Sequence, residues 1–125
     1  MMINKLNRAV QVLKAQHAEA MAETGLTTRQ VLVLDAIDTF SGVPSQTDIV
    51  KATGMDRSTL AEIVHRIDER GLINRRRSKE DGREYLLALT ASGKSALKAA
   101  RATMKKVERS VPAELGANLD RFLSA

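Results

Sequence analysis

Gln46-Thr47-Asp48-Ile49-Val50-Lys51-Ala52-Thr53-Gly54-Met55-Asp56-Arg57-Ser58-Thr59-Leu60-Ala61-Glu62-Ile63-Val64-His65 is the stretch on which the reading of this chain turns. Apolar residues fall at helical steps on both sides of Thr53-Gly54-Met55. Two short helices and a tight turn follow: Gly54 permits the reversal, and Ile49, Met55, Leu60 and Ile63 lock the helices together. Ser45 can cap the first helix, and Asp56 or Ser58 the second. With Leu60, Ile63, Val64 and Ile67 buried, the second helix keeps a free face of Arg57, Ser58, Thr59, Ala61, Glu62 and His65. Such side chains can read base edges in a major groove: Arg pairs bidentately with guanine, Glu accepts from cytosine, and Thr or Ala methyls meet the thymine methyl. Ser45 and Gln46, opening the first helix, join this DNA-contact set. A plain helical hairpin with a solvated outer face would show much of the same pattern, so the turn alone does not decide the function.

The segment downstream adds weight. Gly71-Leu72 reads as a left-handed helix C-cap with its hydrophobic contact. Ile73 to Arg77 and Glu84 to Leu89 read as two strands joined by Ser78-Lys79-Glu80-Asp81-Gly82-Arg83, with Gly82 expected at a positive φ. Over residues 73–83, Arg75, Arg76, Arg77, Lys79 and Arg83 against Glu80 and Asp81 give a net charge of +3. A basic two-stranded wing directly after a recognition helix is rarer by chance than either part alone. Arg77, Lys79, Asp81 and Arg83 are its candidate DNA contacts.

Upstream, Ile3, Leu6, Val10 and Leu13, then Ala20 and Met21, mark an amphipathic helix that ends near Gly25. Thr27-Thr28-Arg29-Gln30 is a capping box, opening a helix whose expected buried face is Val31, Leu32, Leu34, Ala36 and Ile37. Ser41-Gly42-Val43-Pro44 breaks that helix. Beyond the wing, Thr90 caps a helix carrying Leu97, Ala100, Met104 and Val107. Pro112 opens a final one, carrying Leu115, Leu119, Phe122 and Leu123. The fold expected is mainly α with a small β-wing, a winged helix-turn-helix in the order α-α-α-α-β-β-α-α, as one domain over 1–125. Terminal helices 2–24 and 91–124 would form a dimerisation region through Ile3, Leu6, Val10, Leu13, Leu115, Leu119, Phe122 and Leu123.

The composition agrees. Of 125 residues, 43% are hydrophobic and 28% charged, ordinary for a folded protein. Only Phe40, Tyr85 and Phe122 are aromatic, which favours packed helices over a β-sandwich. Twenty Lys and Arg against 15 Asp and Glu leave a net charge of +5, compatible with a polyanionic partner. The absence of cysteine excludes disulfides, thiolate catalysis and cysteine-ligated zinc. Met1 to Val12 shows no signal-peptide pattern and no apolar run is long enough to span a bilayer, so a cytoplasmic location without membrane contact is expected.

Other signals carry less. Gly93-Lys94-Ser95 imitates the end of a phosphate-binding loop, but position 88, where its first glycine should stand, is alanine. His17 and His65 have no paired ligand at metal spacing, so no metal site is expected. Glu80 and Asp81, on an arginine-rich turn, are placed to stay ionised rather than act as acids. Lys94 to Arg109, with six basic residues and one acidic, reads as a solvated face. No catalytic constellation is present, and the chain is not expected to be an enzyme.

Leu26-Thr27 with Gln30 and Val31, Asp56-Arg57-Ser58-Thr59-Leu60, Arg66-Ile67-Asp68-Glu69-Arg70-Gly71-Leu72-Ile73 with Arg75, Asp81-Gly82-Arg83 and Leu89-Thr90-Ala91-Ser92-Gly93 resemble the MarR (multiple antibiotic resistance regulator) family. The resemblance implies a homodimeric bacterial transcription regulator, usually a repressor, bound to a pseudo-palindromic operator. It implies that Arg83 enters the minor groove with Asp81 orienting it, and that first and last helices pair across the dimer. Many relatives hold aromatic effectors; with three aromatic residues here, the sequence lends an effector no support, and no cofactor is expected. The rival reading is a winged-helix interaction module whose basic wing docks on an acidic protein partner.

Overall fold

Helix capping sets most of the element boundaries in the computed structural model, which describes residues 1–125. Helix α1 spans Met2–Met21 and runs through a 3₁₀ turn, Ala22–Thr24, to Gly25 in the left-handed region. Helix α2, Thr28–Thr39, starts with both bonds of a capping box: the Thr27 hydroxyl accepts from the Gln30 N–H and the Gln30 amide accepts from the Thr27 N–H. Helix α3, Gln46–Thr53, repeats that device between Ser45 and Asp48 and stops at Gly54, whose φ of 72° ends the helix in the left-handed region. Helix α4, Arg57–Glu69, is capped by Asp56. Its C-terminus is a Schellman motif, the Leu72 N–H donating to Ile67 O and the Gly71 N–H to Asp68 O.

Strands β1, Ile73–Arg77, and β2, Tyr85–Leu89, pair antiparallel, with Ile73 opposite Leu89 and Arg77 opposite Tyr85. The segment before α3 adds a short third edge: the Leu87 N–H donates to Pro44 O, and Ser45 bridges Leu86. Helix α5, Ala91–Glu108, is capped by the Thr90 hydroxyl, and α6, Ala113–Ser124, follows Pro112. This is a mainly helical winged helix-turn-helix in the expected order. No helix is long and apolar enough to cross a membrane.

The core joins α2, α3, α4, the root of the wing and α5. Val33, Leu34, Ile49, Leu60, Val64, Ile67, Leu87 and Leu97 are fully buried within it. In α2 the expected face needs correction. Leu32 is 47% exposed, while Val33, left out of that face, is buried. The packed positions are Gln30, Val31, Val33, Leu34 and Ile37, a 3–4 repeat that puts Leu32 on the far side. Gln30 is tolerated inside because its amide is bonded to the helix N-cap.

Gly82 also departs from expectation: its φ is not positive. The wing turn is closed by side chains instead. The Ser78 hydroxyl accepts from the Glu80 and Asp81 N–H groups, and the Asp81 carboxylate accepts from the Arg83 N–H. A Glu84 N–H to Asp81 O bond completes a turn in which position 82 needs no positive φ. The glycine that the fold requires is Gly93, where a Cβ would lie 1.9 Å from the Leu72 carbonyl oxygen. Thr90 makes that approach close: its N–H donates to Leu72 O, and its hydroxyl to Gly71 O.

Candidate nucleic-acid interface

Four buried side chains, Leu60, Ile63, Val64 and Ile67, fix α4 to the body and turn its other side outward. Arg57, Ser58, Ala61, Glu62 and His65 are exposed there, and Thr59 is half-buried on one flank. The first turn is organised around Asp56, which accepts from the Thr59 N–H at 2.7 Å, the Ser58 hydroxyl at 2.9 Å and the Thr59 hydroxyl at 3.0 Å. The Thr59 backbone bond first, then the two hydroxyls, hold the Asp56 carboxyl below its ordinary value of 3.8. Ser58 and Thr59 thus keep only their acceptor lone pairs for a ligand. Two i,i+4 pairs order the rest of the face, Glu62 with Arg66 at 3.2 Å and His65 with Glu69 at 2.9 Å.

The wing sorts its cations by strand pleat. Arg75 and Arg77 share the side of the ribbon that carries buried Ile73 and Leu87, and both lie over the Tyr85 ring, at 4.7 and 4.9 Å. Arg75 faces Asp68 at 3.8 Å, and Arg77 donates to Gly82 O at 2.5 Å. Arg83 is different. Its side chain is 93% exposed at the wing tip, with Nε 3.5 Å from the Asp81 carboxylate that also holds its N–H. Lys79 is exposed beside it.

Ser45, occupied as the α3 cap, and Gln46 are half-buried between α3 and the wing. The Oε1 atom of Gln46 is shielded and without a hydrogen-bond partner. Gln46, Arg57 and Arg83 meet around a cleft of about 130 Å³ between α3, α4 and the wing. Thr47, absent from the sequence-based set, sits in the same cleft and bonds to both Arg57 and Glu84. Arg66 was also absent, though its i,i+4 spacing from Glu62 was there to be read. The structure therefore gathers Gln46, Arg57 and Arg83, turns Arg77 toward Tyr85, and ties Glu62 and His65 into helix-surface pairs.

The basic residues of α5 divide likewise. Arg101 bridges Asp35 and Asp38 of α2 at 2.6 and 2.9 Å, and the Asp35 bond foremost raises its already high pKa. At the chain ends Ile3, Leu6, Val10, Leu115, Leu119, Phe122 and Leu123 are exposed, while Leu13 is half-buried in the groove between α1 and α6. A further cleft of about 670 Å³ opens between α1, α2 and α4, lined in part by Lys14, Arg29 and Arg66. The Thr28 hydroxyl, on its wall, is buried without a partner. No group of three or more metal-ligating side chains is brought together.

A helix-turn-helix with a basic two-stranded wing beside it defines the winged helix-turn-helix class. Residues 24–84 match the MarR family model. The transcriptional regulator HosA of Escherichia coli is 36% identical over 75 residues, 60% of this chain and 55% of HosA. The HTH-type transcriptional repressor NicR of Pseudomonas putida is 32% identical over 94 residues, 75% of this chain and 59% of NicR. The matches thus span little more than half the length of these relatives. Among solved structures, Bordetella bronchiseptica BpsR, described for the regulation of its DNA binding by 6-hydroxynicotinic acid, superposes with a TM-score of 0.86 at 28% identity, covering 99% of this chain and 93% of that one. The likeness to the MarR family thus rests on residues 24–84, just under half of this chain.

Proposed function

We propose that this protein is a sequence-specific duplex-DNA-binding transcriptional regulator, a homodimeric repressor acting on a pseudo-palindromic operator. The observation that carries the reading is the pairing of the exposed polar face of α4 with the exposed Arg83 at the wing tip. Helix α4 lies in the major groove, where Arg57, Ser58, Glu62 and His65 meet base edges. Arg83, aligned by Asp81, reaches the flanking minor groove. Ser45 and Gln46 approach the phosphates at the opening of α3, as do Lys79 and Arg77 along the wing. The regulator and repressor relatives support this reading, and the exposed apolar residues of α1 and α6 supply the face for a second copy.

Selection of bound sequences from a random duplex pool tests it. A two-fold symmetric motif with half-sites one helical turn apart is expected. A pool that stays random, with capture by acidic proteins instead, would favour the docking module.

The cleft between α1, α2 and α4 favours a second, compatible reading in which a small anion regulates binding, as 6-hydroxynicotinic acid does for BpsR. Lys14, Arg29 and the unpartnered Thr28 hydroxyl suit a carboxylate, Arg66 being paired with Glu62 on the same wall. A thermal shift with 6-hydroxynicotinic acid that vanishes in Arg29→Ala supports it, and no shift with the parent protein removes it.

A further inference from the structure

Residues 78–84, the outer half of the wing, are held to the helices by one hydrogen bond, from the Thr47 hydroxyl to Glu84 Oε1 at 2.5 Å. The other bonds of this segment stay inside the wing: Ser78 N–H to Glu84 O, Glu84 N–H to Asp81 O, Arg77 Nη1 to Gly82 O, and the Ser78 and Asp81 side-chain contacts. The same Thr47 hydroxyl accepts from Arg57 Nη1 at 3.3 Å. A guanidinium can only donate and a carboxylate can only accept; a hydroxyl does both. Thr47 is thus the one side chain hydrogen-bonded to both recognition helix and wing tip, and the direction of each bond follows from the chemistry of its ends.

We propose that Thr47 is a positioning residue that sets the wing tip against the recognition helix, its hydroxyl shared between Glu84 of the wing and Arg57 of α4. The charge of Glu84 supports this. A carboxylate beside Arg57 and Arg83 opposes a polyanion, and its short bond to Thr47 is in the charge-assisted range, which gives that carboxylate a structural use. The consequence is coupling: a shift of Arg57 in the major groove is felt at the tip that carries Arg83. Only the coupling between the two grooves rests on the DNA-binding reading; the anchoring of the wing does not.

Amide hydrogen exchange without DNA tests the anchoring. Thr47→Val should speed exchange at Ser78 and Glu84 about tenfold, leave the amides of α4 protected, and be matched by Glu84→Ala from the other side. Thr47→Ser, which keeps the hydroxyl, should exchange as the parent does. Wing-tip exchange unchanged in Glu84→Ala overturns the proposal, and so does exchange in Thr47→Ser as fast as in a folded Thr47→Val. If Thr47→Val loosens the whole domain, Glu84→Ala alone decides. On duplex, the effects of Arg57→Ala and Arg83→Ala should be non-additive in the parent and additive in the Thr47→Val background. Additivity in the parent overturns the coupling. A parent that binds no duplex instead defeats the DNA-binding reading, while exchange still judges the anchoring.

Discussion

Gly93 and Gly82 show what a single residue does here. At Gly93 an added methyl would meet the carbonyl of Leu72, a backbone atom fixed by its bond to Thr90, so neither side can give. Gly93→Ala should cost about 3 kcal/mol or more, read from denaturant midpoints. Gly82→Ala, with open space and ordinary φ, should stay within about 0.5 kcal/mol; similar losses at the two positions would contradict this account. Asp56 offers a pH test. Its carboxyl is depressed in the folded protein, so its stabilisation is complete above the unfolded value near 3.8 and is lost as pH falls through the lower folded value. Asp56→Asn keeps a capping oxygen but cannot titrate, so its stability should fall less steeply below pH 3.8 than the parent's. Parallel acid limbs would refute it. The caps were legible in the sequence because partners such as Thr27 and Gln30, or Ser45 and Asp48, lie within one turn. The need for Gly93 was not, since it arises from a strand end folding back over a helix start. Nor was the bond from Thr47 to Glu84, which spans 37 positions.

Among the elements, the wing converts a run of like charges into unlike roles. Periodicity located both strands, but the roles of their arginines depend on register, which places Arg77 opposite Tyr85 and Arg75 opposite Leu87. The strand expected from Glu84 begins at Tyr85, so the connection is seven residues, 78–84, and Arg77 meets Tyr85 rather than Glu84. Arg75 and Arg77 are engaged with Tyr85; Arg83 is not. Arg83→Ala should therefore weaken duplex binding about tenfold or more, with the melting temperature unchanged and the salt slope shallower by about one per subunit. Tyr85→Ala should instead lower the melting temperature by removing the ring under two cations. Equal binding by Arg83→Ala and the parent would turn attention back to a protein partner. In α2, hydrophobicity alone could not rank Leu32 against Val33; the direction of the face was settled only once α3, α4 and α5 were in place.

At the scale of the whole molecule, apolar side chains left in solvent gather at the two chain ends, with Phe122 and Leu123 at 74% and 77% exposure. A second copy covering them predicts a dimer in light scattering at micromolar concentration. The paired change Leu6→Glu and Leu119→Glu should yield a monomer with its helical content retained. A parent that scatters as a monomer, with or without DNA, would refute the assembly. If the dimer neutralises about 6–10 phosphates, affinity should fall about 10³–10⁵-fold between about 50 and 200 mM salt, and a flat titration would speak against duplex binding. Helix α5 joins these regions. Its 18 residues, Ala91–Glu108, run from the wing root, on which Gly93 is pressed, to the groove where α6 begins, about 27 Å at the usual rise. It is a lever with its fulcrum in the core. A tilt of about 5° about the buried Leu97 and Ala100 moves each end by about 1 Å, about twice the play that a hydrogen bond to a base edge allows. In the proposed dimer, small changes in how two copies lean on each other would thereby be passed on to whether both α4 helices fit their half-sites together.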